Sequence, residues 1–458
     1  LQKIIATYGK HFKEITILSY PIIIGQLGIV LMGVADIMMI GKLDAINLAA
    51  ASLANSVYFL ICILGIGTLT AISPLVAKSR GAGKPNQCAI LFRQGITAAI
   101  LLSAFIGLIL YILAENLAWF GQTERVTVLT KDYLHILNAG TLPLLLFTAI
   151  KQYSDGLSFT KPSAVITIFA LLLNVFLNWV LIYGKFGMPA YGLFGAGIAT
   201  SLSRAAMALA MYSYVRLNKL YQGYLHLVKH EDDRHFLLQI FKIGLPSGFQ
   251  YFFEVGAFAF AAIMIGWISE YAMAAHQIAI NIASVTYMIA TGISAGGSIA
   301  VGEAFGRKNR EDMVLAGRAA LIMGTIFMGV CALFFGLFSN FIVSLYIEDS
   351  LVQPMAVNLV LIAALFQLSD GIQCVGLGVL RGLHDSKIPT VITIISYWVI
   401  GIPIGYYLGF YTELSLYGIW MALLIGLSFS AVALTKRFLN KSRSIPLEVP
   451  KFSEETTI

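Results

Sequence analysis

The sequence predicts an all-α polytopic membrane protein, with twelve transmembrane helices arranged as two pseudo-symmetric six-helix bundles. Three observations carry that prediction. Of 458 residues, 58% are hydrophobic and only 12% charged, about half the charged share of an ordinary soluble domain, and the mean hydropathy is +0.83. Apolar windows of about 20 residues, the length that spans a bilayer, recur too often for one buried core. The second half of the chain also repeats the first.

The spans fall at roughly 15–40, 46–77, 89–114, 126–155, 162–184, 190–216, 237–268, 271–304, 313–340, 351–381, 386–410 and 414–440. With the N-terminus in the cytoplasm, Lys42, Arg125, Lys131 and Lys185 lie outside and Arg204 within a helix, while the rest of the 30 Lys and Arg are inside. That asymmetry predicts cytoplasmic termini. The polar stretch 217–236 reads as a cytoplasmic linker between an N-terminal lobe (1–216) and a C-terminal lobe (237–440), with a cytoplasmic tail at 441–458. Its His226, His230 and His235 read as part of a solvated charged loop, since acids and lysines are interspersed and no ligand geometry is implied. No secretory leader is expected, because the first span is too long and no small-residue cleavage pattern follows it.

The net charge of +7 does not point to nucleic acid, because the basic residues cluster between apolar runs rather than on a polar domain. Cys62, Cys88, Cys331 and Cys374 stand far apart with no CxxC, so neither a zinc site nor a disulfide framework is supported. No GxxxxGK[ST] occurs, and Gly81-Ala82-Gly83-Lys84-Pro85 fails that spacing, so no ATP-driven engine is encoded. Gly195-Ala196-Gly197 begins like a dinucleotide fingerprint but sits in a membrane helix, where it permits close packing. No cofactor is expected.

At one constant offset Pro21 matches Pro246, Met39-Ile40-Gly41 matches Met264-Ile265-Gly266, Gly67 matches Gly292 and Gly81 matches Gly306. One residue further along, Gly156-Leu157 matches Gly382-Leu383 and Val165-Ile166-Thr167-Ile168 matches Val391-Ile392-Thr393-Ile394. Six spans per half give both halves one orientation, related by an axis along the membrane normal with a central site between them. The prolines at 21, 246 and 403 can bend their helices, since each removes a backbone donor.

The acids inside the spans break that symmetry. A charged side chain at bilayer depth costs about 2.5–3.5 kcal/mol on insertion scales. Asp36 nevertheless lies in the first span, Glu254 in the seventh and Asp370 mid-way along the tenth. Asp36 aligns with Ala261 and Glu254 with Ile29, so packing symmetry demands neither. Gln250 and Glu254 share a helix face, as do Gln367, Asp370 and Gln373. Two acids on different helices of one lobe can converge on a cation, either Na⁺ or H⁺. Asn174 and Asn178, again one turn apart, join Asp36 as a hard-oxygen set for a small cation, and Thr200 can add a hydroxyl. Hydrogen bonding between helices is the alternative role for the asparagines. His276 lies within a span and reads equally as a packing residue.

These residues resemble the multidrug and toxic compound extrusion (MATE) transporters, NorM-like branch, over nearly all of residues 15–440. The resemblance is carried by Phe252-Phe253-Glu254, Ser369-Asp370-Gly371, and Gly378-Val379-Leu380-Arg381-Gly382-Leu383-His384-Asp385-Ser386-Lys387. Val34-Ala35-Asp36, Lys161-Pro162, and Asn174 with Asn178 add to it. It implies a V-shaped, twelve-helix antiporter of the inner membrane that exports cationic, amphipathic molecules in exchange for Na⁺ or H⁺. By match, Glu254 and Asp370 form a C-lobe cation site, and Asp36, Asn174, Asn178 and Thr200 an N-lobe set. Glu348 and Asp349, before the tenth helix, match an acidic pair that faces cationic substrates together with Asp36, Glu254 and Asp370. One departure is Phe366, where relatives often carry a tyrosine, which leaves the C-lobe shell short of a hydroxyl and favours the N-lobe site. The expected partners are organic cations and membrane lipid, with no nucleic acid, and the expected state is a monomer. The rival readings are a lipid or lipid-linked oligosaccharide flippase, which would line its cavity with basic residues where the spans here hold three acids and Arg204. An intramembrane enzyme would need a catalytic cluster that is absent from the sequence, and a channel would need rings of charge.

Overall fold

A computed structural model describes residues 2–121, 123–225 and 233–444. Twelve of its helices are long and apolar enough to cross a membrane. They are α1 (Thr7–Ile40), α2 (Ala45–Gly81), α3 (Pro85–Glu115), α4 (Glu124–Gly156), α5 (Lys161–Tyr183), α6 (Leu193–Leu217), α7 (Asp233–Gly266), α8 (Glu270–Gly306), α9 (Arg310–Ser344), α10 (Val352–Gly382), α11 (Lys387–Phe410) and α12 (Ser415–Ser444). Each expected span is present, displaced by a few residues at most ends. His226 and His230 of the expected linker, and most of the expected tail, lie outside the described residues, whereas His235 pairs with Gln239 at 2.7 Å.

Local chemistry sets the helix starts. Asp44 caps α2 by accepting from Asn47 N at 2.7 Å, and Ser269 caps α8 at the repeat-related position by accepting from Ala272 N at 3.0 Å. Interruptions fall where a backbone bond is lost. α2 breaks at Thr70, whose hydroxyl bonds the Gly67 carbonyl at 2.6 Å. α11 widens into a π-helical stretch at Ile395–Gly401, just before Pro403, whose ring nitrogen cannot donate.

The first six and last six helices form two bundles joined at the end that carries both termini. Among the described residues, the hydrogen bonds, ion pairs and close glycine contacts between the bundles lie between mid-helix and that end. From there the bundles part as a V. Glycines line the seam, some matched in the repeat (Gly67 with Gly292, Gly81 with Gly306) and others, Gly244 and Gly248, in the second half alone. A Cβ on Gly81 would lie 2.1 Å from the Glu303 carbonyl oxygen, and one on Gly306 would lie 2.0 Å from that of Lys78. Those distances leave room only for hydrogen, so α2 and α8 cross backbone to backbone. Within the bundles the repeat is equally literal, because Gly156 abuts the Ser73 carbonyl as Gly382 abuts that of Ser298. Gly195 of the Gly-Ala-Gly run packs against the Leu181 carbonyl, the close-packing role expected of it.

The expectation that the spans hold one cation, Arg204, needs correction. Arg204 donates to Tyr58 Oη at 2.8 Å and lies over that ring. However, Lys151, Asp155 and Arg381 are also buried, in the last turns of α4 and α10. Lys151 donates to Asp155 at 2.9 Å. Placing these charges in the connections overlooks how far the bundle packs around the helix ends.

Candidate functional site

Each bundle holds a cluster of buried polar side chains around one of the acids expected from the sequence. In the first, Asp36 of α1 meets Asn174 and Asn178 of α5 and Thr200 of α6. Asn178 Nδ2 donates to Asp36 Oδ1 at 2.6 Å and to Asn174 Oδ1 at 3.2 Å, and Thr200 Oγ1 donates to Asp36 Oδ2 at 2.9 Å. All four are buried, the asparagines fully. Both carboxylate oxygens thus hold a donor, and such charge-assisted bonds are the strong kind. One atom has none. Asn178 Oδ1 is buried with no hydrogen-bond partner among the described residues, leaving a carbonyl oxygen beside the carboxylate.

In the second bundle, Glu254 of α7 is the centre. Its Oε2 accepts from Gln250 Nε2 at 2.9 Å, and its Oε1 accepts from Gln373 Nε2 at 3.2 Å and Tyr287 Oη at 3.4 Å. Gln373 also donates to Tyr397 Oη at 2.8 Å, and Thr286 donates to Gln367 Oε1 at 3.0 Å. Asp370 is 5% exposed, yet its carboxylate has no hydrogen bond among the described residues. The charge acting on it is that of Glu254, of the same sign. A buried carboxylate without donor or counter-ion is costly. A cation held between Asp370 and Glu254 would remove the cost for both, and Gln373 Oε1, buried without a partner, would supply a neutral oxygen to it.

The structure therefore brings together Asp36, Asn174, Asn178 and Thr200, and separately Glu254 with Gln250, Gln373 and the stripe that carries Asp370. It does not bring Glu348 or Asp349 to either cluster. Both lie in the connection before α10, where Asp349 Oδ1 accepts from Leu351 N at 2.8 Å and Val352 N at 2.9 Å. Those backbone donors, Val352 first, hold its carboxyl below the usual carboxylate range. Asp349 thus has a helix-capping role of its own.

Phe366 packs against Phe258 and Trp420, and hydroxyls reach the cluster from other helices, Tyr287 at Glu254 and Tyr397 at Gln373. Sequence reading passed over both tyrosines, and Thr286 with them. Their repeat partners are Cys62 and Leu171 for the tyrosines, so the comparison between halves that marked Asp36 and Glu254 would have marked these too. His276 accepts from Trp420 Nε1 at 3.1 Å, a packing role. No group of three or more His, Cys, Asp or Glu side chains able to hold a metal occurs among the described residues.

Known proteins match this architecture along its whole length. The chain is 34% identical to the multidrug resistance protein NorM of Vibrio cholerae serotype O1, over 94% of this chain and 95% of that protein. It is equally identical, over the same shares, to the multidrug resistance protein MdtK of Photorhabdus laumondii. Its fold is that of a eukaryotic MATE transporter, with TM-score 0.86 at 19% identity over 95% of this chain and 99% of that one. A multidrug resistance MATE family transporter in an outward-facing conformation superposes with TM-score 0.86 at 20% identity, over 94% and 96%. The MatE family model matches twice, at residues 21–180 and 246–407, once for each half of the repeat. With both halves matched and relatives aligned nearly end to end, the chain belongs to the MatE family, in its NorM-like branch.

Proposed function

We propose that the chain is a secondary active multidrug efflux antiporter that exports organic cations in exchange for Na⁺ or H⁺. The observation that carries this reading is the bare, buried Asp370 beside Glu254, set in one arm of a V whose arms meet at one end only. Such a site costs free energy until a cation occupies it. Ion and cargo, both cationic, then compete for the same carboxylates, and competition between them is what exchange requires. The similarity to multidrug resistance proteins points to cargo of the same kind.

In this reading residues 1–216 and 237–440 are the two rocking lobes, joined by the linker at 217–236, with a tail at 441–458. The seam lies on the cytoplasmic side with both termini, the membrane is the cytoplasmic one, and the protein acts as a monomer. Asp36, Asn174, Asn178 and Thr200 form a second cation set in the N-terminal lobe. One charge crossing 100 mV contributes about 2.3 kcal/mol, enough to bias exchange. The test is transport of a permanently charged dye in proteoliposomes under a Na⁺ gradient and, separately, a H⁺ gradient. The reading requires accumulation against the dye gradient under at least one of them. Failure under both overturns it.

A further inference from the structure

Arg381 is the one basic side chain near Glu254, and it has an unusual place. It is 7% exposed and has no carboxylate within ion-pair distance among the described residues. Its Nη2 donates to Gln250 Oε1 at 3.4 Å, and its guanidinium lies 5.4 Å from the centre of the Tyr251 ring. Tyr251 crosses the seam, since a Cβ on Gly67 of α2 would lie 2.7 Å from its ring. Arg381 also lines a cavity of about 60 Å³ between the lobes, together with Lys151 and Asp155 of α4, Thr70 at the break in α2, and Ser298 of α8. Asp155 is the repeat counterpart of Arg381, so an acid of one lobe and a cation of the other share this cavity.

An unbroken chain thus runs from the seam to the buried acids: Tyr251, Arg381, Gln250, Glu254. Gln250 is its informative link. A primary amide has one face that accepts and one that donates. Arg381 can only donate and the Glu254 carboxylate can only accept, so the two neighbours fix the amide with its oxygen toward Arg381. A cation at Glu254 reverses the demand on that side, because a cation is liganded by the amide oxygen and repelled by the amine. Turning the oxygen to the cation presents the NH₂ group to the guanidinium, donor against donor. Arg381 then loses the one side-chain acceptor it has among the described residues, and with it the placement of its guanidinium over the Tyr251 ring.

We propose that Gln250 and Arg381 are positioning residues that transmit occupancy of the Glu254 site to the lobe seam through the orientation of the Gln250 amide. This rests on the reading of Glu254 as a cation site. It also supplies what an exchanger needs, namely a seam that stays shut while the site is empty and loosens once it is filled.

Ser298 offers a reporter. Its hydroxyl is buried in the cavity and has no hydrogen-bond partner among the described residues, so Ser298→Cys removes no bond. The experiment measures the rate at which N-ethylmaleimide alkylates that cysteine in the full-length protein in liposomes. The modified peptide is read by mass spectrometry so that the four native cysteines are resolved separately. Na⁺ and tetraphenylphosphonium serve as the cations, and binding of each is measured in parallel. With Gln250 intact, a saturating cation should raise the rate severalfold. Gln250→Leu deprives Arg381 of its acceptor, so the rate should be high without cation and unchanged by it. Gln250→Glu holds Arg381 with a carboxylate, so the rate should be low and again unchanged, with cation binding retained or tightened.

A purely structural role for Gln250 would loosen the seam in both variants, whereas the relay raises the cation-free rate in Gln250→Leu and leaves it low in Gln250→Glu. Cation-dependent alkylation that survives in either variant, with binding intact, overturns the relay. So does a seam that ignores a bound cation when Gln250 is present. Cation binding that Glu254→Gln leaves unchanged would overturn the site reading instead, and the relay with it.

Discussion

The two polar clusters are built from similar parts and held in opposite conditions. Around Asp36, every carboxylate oxygen has a donor within 2.9 Å. Around Asp370 there is none, and the charge facing it is another carboxylate. The first cluster satisfies its carboxylate and leaves an amide oxygen, Asn178 Oδ1, open, so a cation must rearrange it to reach the acid, whereas the second leaves a carboxylate without a donor that a cation completes. A satisfied buried network rigidifies its surroundings, while an unsatisfied one stores free energy for a ligand to release. The two halves of a duplicated fold thus differ at their acids, with the carboxylate paired in one and without a donor in the other.

The sharpest way to break this contrast is Asp370→Asn. Removing one of two opposing carboxylates should cut gradient-driven dye export on the order of a hundredfold, the loss expected when a buried charge pair with its cation is broken. Thermal stability should hold or rise, because an unpaired like charge has gone. Wild-type export by this variant would remove Asp370 from the mechanism.

Asp36→Ala should behave in the opposite way on stability. It removes the acceptor of one Asn178 N–H, at about 1–3 kcal/mol for a buried group left unpaired, while Thr200 keeps the Ala196 carbonyl at 3.0 Å. A clear fall in melting temperature is expected, against none for Asp370→Asn, and equal melting temperatures for the two would erase the distinction drawn here.

A third measurement asks whether the clusters act independently. Asn174→Ala should weaken ion binding in the first lobe and leave intact the ion bound at Glu254, while Glu254→Gln should do the reverse. Isothermal titration of the coupling ion separates the cases, and loss of all binding in either variant would mean a single site. The smallest effect belongs to Phe366→Tyr. With Tyr287 and Tyr397 already present, an added hydroxyl should change export by no more than about twofold, within the usual range of a tolerated substitution.

The fold was almost wholly legible in the sequence, and the reason is physical. Lipid forces the chain to satisfy its backbone within each span, so hydropathy reports spans directly. Seam packing was legible only in part. Gly67, Gly81 and their repeat partners stood out as matched glycines, but that Gly81 and Gly306 meet carbonyls of the other bundle, and Gly292 the Ile23 side chain, depends on how the bundles dock. At the site, acids in apolar helices identify themselves by their cost, which is why Asp36, Glu254 and Asp370 were visible. Tyr287, Tyr397 and Thr286 were not, since such residues are at home in any membrane helix and gain meaning only from what they touch. Asp349 shows the converse, because an exposed acid before a helix accepts from its first backbone donors whatever its neighbours resemble.

The crossing of α2 and α8 at Gly81 and Gly306 has a consequence for leakage. At that crossing the two backbones meet directly, so a methyl group on either glycine would hold the helices apart and open the seat. Selection for a tight seat and selection for a versatile cargo cleft then act on different residues at opposite ends of the V. If the chain is the antiporter proposed above, its cleft can change preferences by substitution while the seat stays fixed, so cargo range and tightness of the seam can vary separately.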